Sequence, residues 1–493
     1  MDIKRAKEEI KNTIEAYLVK DEYGEYEIPV VRQRPVLLMG PPGIGKTQIM
    51  EQIAKECKIN LVSYTITHHT RQSAVGLPFI KEKEYAGKKY SVTEYTMSEI
   101  IASVYDKIEQ TGIEEGILFI DEINCVSETL APTMLQFLQG KTFGNQAVPK
   151  GWIIVAAGNP PEYNKSVREF DVVTLDRIKR INVEENFSVW KEYAYKNGLH
   201  QAVISYLEIR KQNFYRVETT VDGKYFATAR GWEDLSNLIQ VYEKLGKTID
   251  REVVNQYIQH PLTAKDFANY LELYYKYKKD YDVNSILDGN LDSALIAKTK
   301  ASPFDERLNI TGLLNGRLSE EFREYHLEKQ FMDKLYSYLL IYKENKDTMT
   351  LENIILKAEK DMEEKKKQEL LSKKEERAFM DVNNKLKSFA KRSETFEEAK
   401  ELFEQEVEAH ENKAENLVTR LDNGFIFIEE AFGGGQEMVA FVTEINSNYY
   451  AIQFIKEHGS EQYYRHNKGL LFEERHNDIV GDMEIFQEML RTR

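Results

Sequence analysis

Gly40-Pro41-Pro42-Gly43-Ile44-Gly45-Lys46-Thr47 sits between an apolar run, Val36-Leu37-Leu38-Met39, and a stretch whose apolar residues Ile49, Met50 and Ile53 recur at helical spacing. A glycine-rich turn between a strand and a helix lets successive backbone N–H groups converge on an anion, and the helix N-terminus adds its positive end. In this pattern Lys46 is placed to reach the β/γ oxygens of a nucleoside triphosphate, and Thr47 to offer its hydroxyl to Mg²⁺. The octapeptide therefore predicts a Walker A phosphate loop. The surrounding strand-loop-helix unit predicts an α/β fold with a parallel sheet.

Working outward, Gly116-Ile-Leu-Phe-Ile120 is an all-apolar run that delivers Asp121 and Glu122 at its C-terminal end. Open parallel sheets place their chemistry outside the carboxyl ends of the strands, so Asp121-Glu122 is expected beside the loop as a Walker B pair. Asp121 is then expected to hold Mg²⁺ through water, and Glu122 to polarise the attacking water. A third strand, Trp152-Ile-Ile-Val-Ala-Ala157, runs into Gly158-Asn159-Pro160. Asn159 thus places a neutral amide where a γ-phosphate would sit, a polar sensor adding no charge. Without the two preceding motifs, Asn-Pro would be an ordinary turn start.

Two arginines follow. In Thr174-Leu-Asp-Arg177-Ile-Lys-Arg180, residues three apart are expected to share a helical face. In a ring-forming ATPase, an arginine here projects into the neighbouring subunit's site, and Arg177 is the candidate finger because Arg180 abuts the next strand. A surface ion pair is the competing explanation. Thr228-Ala-Arg230-Gly-Trp232 opens a helix with Thr228 as its N-cap. A cation in a first helical turn opposes the macrodipole, so Arg230 needs an anion: a triphosphate, or the local Glu233 and Asp234.

In order and spacing these five features resemble the AAA+ ATPases over about residues 30 to 245. Within them, residues 62–77 with Ser73-Ala-Val-Gly-Leu-Pro78, and Leu175-Asp-Arg177, look like the MoxR-like, dynein-related branch. The resemblance implies an AAA+ P-loop core with a parallel sheet between helices, a helical lid, and ATP and Mg²⁺ as cofactors. It implies a homo-oligomer in the form of a hexameric ring with ATP between subunits. It also implies chaperone-like remodelling of a protein client, often with a partner carrying a von Willebrand A domain. Such rings carry an insertion facing the pore or the partner, here residues 79–95 with a Gly87-Lys88 turn between Tyr85 and Tyr90. Those tyrosines are candidate contacts; a plain surface hairpin is the alternative. The guanine-reading Asn/Thr-Lys-x-Asp pattern is absent, since Asn164-Lys165-Ser-Val and Asn345-Lys346-Asp-Thr both fail at the last position, which favours ATP over GTP.

A chain of 493 residues exceeds one such core and its lid. The expected division is residues 1–185 as nucleotide-binding core, 186–275 as helical lid, 276–345 as a helical extension with a break at Ser302-Pro303, 346–420 as a charged helical hairpin or linker, and 421–493 as a small C-terminal module. Capping boxes are expected at Thr96-x-x-Glu99 and Thr395-x-x-Glu398, with Gly112 stopping the first of those helices. A short hairpin is expected around Gly144-Asn145. Gly433-Gly434-Gly435 lacks a following Lys-Ser/Thr and is expected to be a plain loop; Phe425, Phe427, Phe441, Tyr449 and Tyr450 form either a core or a partner face.

The net charge of −15 opposes broad nucleic-acid binding, which depends on neutralising phosphates, and favours a protein partner. No apolar run approaches bilayer length and the first residues lack a signal core, so a cytoplasmic location is expected. Cys57 and Cys125 have no metal spacing, and His68-His69 is a poor chelator. Two rival functions stand beside protein remodelling: a nucleic-acid-acting motor of restriction type, and an assembly scaffold that binds nucleotide with little hydrolysis.

Overall fold

The structure, a computed structural model, describes residues 1–468 apart from 69–73, 144–145, 164–166, 168–169, 222 and 347. His69, Ser73, the Gly144-Asn145 turn, Asn164-Lys165 and the end of the C-terminal segment lie outside the described residues. Two compact units are present, one comprising Met1–Val189 with Leu356–Met380, the other starting at Trp190–Ile355 and resuming at Asp381.

The first unit is organised by strands β1 (Val36–Met39), β2 (Asn60–Thr65), β3 (Gly116–Asp121), β4 (Trp152–Gly158) and β5 (Lys179–Asn182). They pair in parallel in the order β2-β3-β4-β1-β5. The central strands are apolar because both faces of the sheet are covered. Val36, Leu38, Ile117, Phe119, Val155 and Ala157 point to one side, where they meet Ala6, Ile10 and Ile14 of α1 (Ile3–Leu18) and Ile49, Met50 and Ile53 of α2 (Lys46–Cys57). Leu37, Leu118, Ile120, Ile154 and Ala156 point to the other, against Ile100, Ile101 and Val104 of α3 (Glu99–Thr111) and Met134, Phe137 and Leu138 of α4 (Ala131–Gly140). Period-two alternation along each strand thus sorts its side chains into two cores. The result is a three-layer α/β domain whose loops at the strand carboxyl ends are free to build a site.

Between β2 and α3, Pro78–Tyr85 and Lys88–Tyr95 form the expected hairpin, turning at Ala86 (φ 50°) and Gly87 (φ 76°). Two successive left-handed residues match the right-handed twist of the flanking strands. Tyr85 and Tyr90 are both about half exposed, their ring centroids 6.1 Å apart. The capping box expected at Thr96 does not form. Ser98 is the N-cap residue of α3 and donates its hydroxyl to the Ala74 carbonyl, while Thr96 accepts from the Leu77 N–H at 2.9 Å. The tertiary contact with residues 74–77 outcompetes the local cap. Gly112 ends α3 as expected, with φ 73°. Also in this unit, the turn after the Leu351–Lys367 helix carries Glu369 (φ 53°), whose carboxylate pairs with Lys107 and accepts from Gln110 of α3.

The second unit is chiefly helical. Arg216–Thr220 and Gly223–Ala227 nevertheless form an antiparallel hairpin that a helical reading of this region did not anticipate, although Asp222-Gly223 is itself a hairpin signal. Pro303 caps the 41-residue helix Phe304–Glu344, in keeping with the break expected there. The division expected at 420/421 falls inside the 37-residue helix Phe396–Phe432, which starts at the Thr395 cap as expected. Its apolar positions Ala414, Leu417, Leu421, Phe425 and Ile428 continue without interruption across 420. They share one core with Ile310, Leu314, Leu318 and Phe322 of the preceding long helix, and with Phe427 and Phe441, so these aromatics are core. Tyr450 is buried there, whereas Tyr449 is 41% exposed.

Lys191 is buried in this unit and held by Glu208 at 2.6 Å and Glu444 at 3.0 Å, while the buried Tyr195 donates its hydroxyl to Glu444. Burial alone would lower the Lys191 pKa; the Glu444 and Glu208 carboxylates outweigh it and hold the ammonium above its ordinary value. Removing one partner of such a pair strands a charge away from water, at a cost of about 3 kcal/mol or more. Glu444→Ala should lower the denaturant midpoint accordingly, and Glu444→Gln, which keeps the acceptor and the shape, should lower it less. An unchanged midpoint in both variants would show that the pair contributes nothing to stability.

Candidate nucleotide site

The loop from Gly40 to Gly45 leaves β1 and re-enters helix at Lys46. Gly43 (φ 75°) and Gly45 (φ 92°) occupy the left-handed region, which side-chain-bearing residues rarely adopt, and Gly45 forms the N-cap of α2. Pro41, Pro42 and Ile44 complete the loop. These features fit the phosphate-cradling role expected of Gly40 through Thr47.

Lys46 is nearly buried, and its ammonium donates to the carbonyls of Gly40 (2.7 Å) and Pro41 (2.8 Å) and to Asn159 Oδ1 (2.9 Å). Thr47 donates its hydroxyl to Asp121 Oδ2 at 3.0 Å, joining the loop to the end of β3. The other Asp121 oxygen accepts the Glu122 N–H at 2.9 Å. Glu122 itself takes a left-handed φ of 56° and opens a short turn, Ile123–Cys125. Its carboxylate is half-buried and makes no hydrogen bond or ion pair among the described residues. One hydroxyl beside one carboxylate suits Mg²⁺, which is commonly held by one or two carboxylates plus substrate phosphates and water. β1, β3 and β4 are neighbours in the sheet, so their carboxyl ends bring Lys46, Thr47, Asp121, Glu122 and Asn159 into one crevice.

Sequence reasoning missed Asn124. It lies in the turn after Glu122, is 2% exposed, donates Nδ2–H to the Asn159 carbonyl (2.8 Å) and accepts the Asn159 N–H on Oδ1 (3.3 Å). Its only sequence signal is a polar residue in an otherwise apolar turn.

The two arginines between 174 and 180 do not share a helical face. The helix Val172–Leu175, capped by Asp171, ends before Arg177, and Arg180 lies on β5, donating to Asn182 Oδ1 at 2.8 Å. Hydrogen bonds from Thr174 hold the Asp171 carboxyl below its ordinary range. Arg177 is exposed and donates to Gln139 Oε1 at 3.0 Å. Just past α4, burial pushes the Lys141 ammonium down to about 8. Cys57 and Cys125 are half-buried and neither forms a disulfide.

Arg230 belongs to the second unit, in the first turn of the Ala229–Leu245 helix, whose Thr228 cap accepts the Gly231 N–H at 3.2 Å. It is exposed and has no ion-pair partner among the described residues, and the nearby Glu233 accepts instead from the Tyr193 hydroxyl at 2.7 Å.

Among the described residues no helix is long and apolar enough to cross a membrane. No curated protein matches the chain. Among solved structures the chain is similar to a mutant form of RuvB from Thermotoga maritima, with 18% identity, 52% of this chain and 69% of that chain covered, and a TM-score of 0.28. Residues 36–178 match the family model described as ATPase family associated with various cellular activities (AAA). From β1 to the threshold of β5, the stretch that builds the crevice, this chain therefore carries an AAA ATPase domain.

Proposed function

We propose that this chain is an ATP-hydrolysing AAA+ ring protein of the MoxR-like type, which remodels or activates a protein client together with a partner bearing a von Willebrand A domain. The observation that carries the hydrolytic part is the convergence of Lys46, Thr47, Asp121, Asn159 and a Glu122 carboxylate free of partners among the described residues at the ends of three adjacent strands. Lys46 exchanges its carbonyl acceptors for the β/γ oxygens, and the N–H groups of the Gly43–Gly45 turn cradle the phosphates. Mg²⁺, held by Thr47 and Asp121, supplies charge neutralisation at the transferring group when bound. Glu122 takes the proton of the attacking water as its oxygen bonds to the γ-phosphorus and the bond to the β–γ bridging oxygen breaks, leaving ADP and inorganic phosphate. Asn159 orients that water or the γ-phosphate.

The exposed Arg177 supports action in a neighbouring subunit's site, and hence a ring; six subunits follow from the family resemblance. Arg230, without an ion-pair partner among the described residues and at a helix N-terminus, is suited to a triphosphate as its counter-anion. The hairpin tyrosines Tyr85 and Tyr90 offer an exposed aromatic surface for a client or partner. The net charge of −15 favours a protein over nucleic acid as that client.

Mixing tests the ring. Arg177→Ala and Lys46→Ala proteins should each be nearly inactive alone. Together they should regain part of the turnover, because the intact Arg177 of a Lys46→Ala subunit completes the intact loop of its neighbour. No recovery at concentrations where wild type assembles would reject the trans role of Arg177. Turnover that rises several-fold only with DNA or RNA would favour the nucleic-acid motor, and assembly on nucleotide without turnover would favour the scaffold.

A further inference from the structure

We propose that Asn124 is a positioning residue of the hydrolytic site, a two-point clamp that fixes Asn159 against Lys46 and thereby ties the turn after Glu122 to the polar sensor. The proposal rests on the hydrolysis reading above and deepens it. The β4 strand pairs with β1 as far as Gly158 opposite Met39, and with β3 as far as Ala156 opposite Ile120. Asn159 therefore lies beyond the last paired residue on both sides, where sheet hydrogen bonds no longer hold the chain, and the following Pro160 has no N–H to contribute. The Asn124 carboxamide replaces the missing neighbour, donating to the Asn159 carbonyl and accepting the Asn159 N–H. Engaging both backbone groups of one residue constrains its rotation as well as its position, which a single hydrogen bond would not. With its backbone held, Asn159 aims Oδ1 at the Lys46 ammonium, 2.9 Å away.

Gly158 provides the room. Its backbone lies outside the left-handed region, so no dihedral demands glycine there. Space does: a Cβ would stand 2.6 Å from Asn124 Oδ1 and 3.1 Å from the Met39 sulfur. The clamp and the glycine are thus one device. Asn124 is itself held in the turn that begins at Glu122, so a displacement of that turn on nucleotide exchange is carried to Asn159 through the same two hydrogen bonds.

The test is a kinetic comparison of full-length wild type, Asn124→Asp, Asn124→Ala, Asn159→Ala and the Asn124→Ala/Asn159→Ala pair, with ATP affinity measured separately by equilibrium binding. Asn124→Asp is isosteric and leaves the packing against Gly158 filled, but faces the Asn159 carbonyl with an oxygen instead of a donor, and its melting temperature is measured beside wild type to separate a lost clamp from a lost fold. It should lower kcat by about tenfold to a hundredfold, the scale expected of a misplacement near 1 Å at a reacting group, while ATP affinity stays within about threefold. The double variant should turn over no more slowly than Asn159→Ala alone, because Asn124 acts only through Asn159. Wild-type kcat in Asn124→Asp, or losses that multiply in the double variant, would overturn the positioning role. A wild type that binds ATP without turning it over would instead overturn the hydrolysis reading beneath it.

Discussion

Glu122→Gln is expected to bind ATP as tightly as wild type and to turn it over about 10²- to 10⁴-fold more slowly, the usual contribution of a positioned general base. The separation of binding from turnover follows from the geometry. The Glu122 side chain bonds to none of the groups proposed to hold the phosphates among the described residues: Lys46 bonds to Gly40, Pro41 and Asn159, and Thr47 bonds to Asp121. The backbone N–H of Glu122, which supports Asp121, is unaltered by a side-chain change. What the substitution removes is the half-buried carboxylate that lacks a partner among the described residues and so stands ready to accept a proton. A glutamine of the same shape cannot accept that proton. Single-turnover hydrolysis with binding measured in parallel checks this, and equal turnover in the two proteins would sink the role. The same variant, loaded with ATP and Mg²⁺ and recovered from its native cells beside Lys46→Ala, should retain the client of the proposed remodelling cycle. Proteins enriched only with Glu122→Gln would support that reading; enriched nucleic acid would move it to the motor.

Lys46→Ala should abolish binding rather than chemistry. The ammonium lies against the loop itself, and each hydrogen bond it makes to a charged acceptor contributes about 1.5–3 kcal/mol, so losing two costs on the order of a hundredfold or more in affinity. A ligand that binds only the folded state stabilises it by about 2.7 kcal/mol at a hundred times its Kd. Wild type should therefore show a clear ATP-dependent rise in melting temperature, and Lys46→Ala none at the same concentration. Its melting temperature without nucleotide should fall as well, because the Gly40 and Pro41 carbonyls lose their shared donor. An ATP-dependent rise matching wild type would show that the ammonium is not a phosphate ligand.

Several elements of the candidate site are legible in the sequence. Asp121, Glu122 and Asn159 were each placed by the same logic, a polar residue directly after an apolar strand, and that logic holds because a parallel sheet lines up its carboxyl ends. It failed at Asn124, which follows the strand by three residues and whose partner is a backbone far along the chain. It failed again at Arg177 and Arg180. The pattern of residues three apart suggested one helix, but Val172–Leu175 is too short to include either, and Arg180 is drawn into β5 by pairing with Leu37. The spacing of Thr96 to Glu99 predicts a cap, yet Ser98 occupies that position and a contact with residues 74–77 claims both side chains.

What the sequence determined by itself was local: which residues bend the glycine-rich loop after β1, and which polar groups stand at the ends of its apolar strands. Backbone dihedral preference and hydrophobic period act over a few residues and are written in their order. The tertiary structure alone decided which strand ends are neighbours, that Asn124 clamps Asn159, and that Gly158 is glycine for want of space. It also decided that the helix through residue 420 is continuous with a core built from Phe322 and Phe441. Those outcomes depend on packing between segments distant in the chain, and no window of sequence contains both partners.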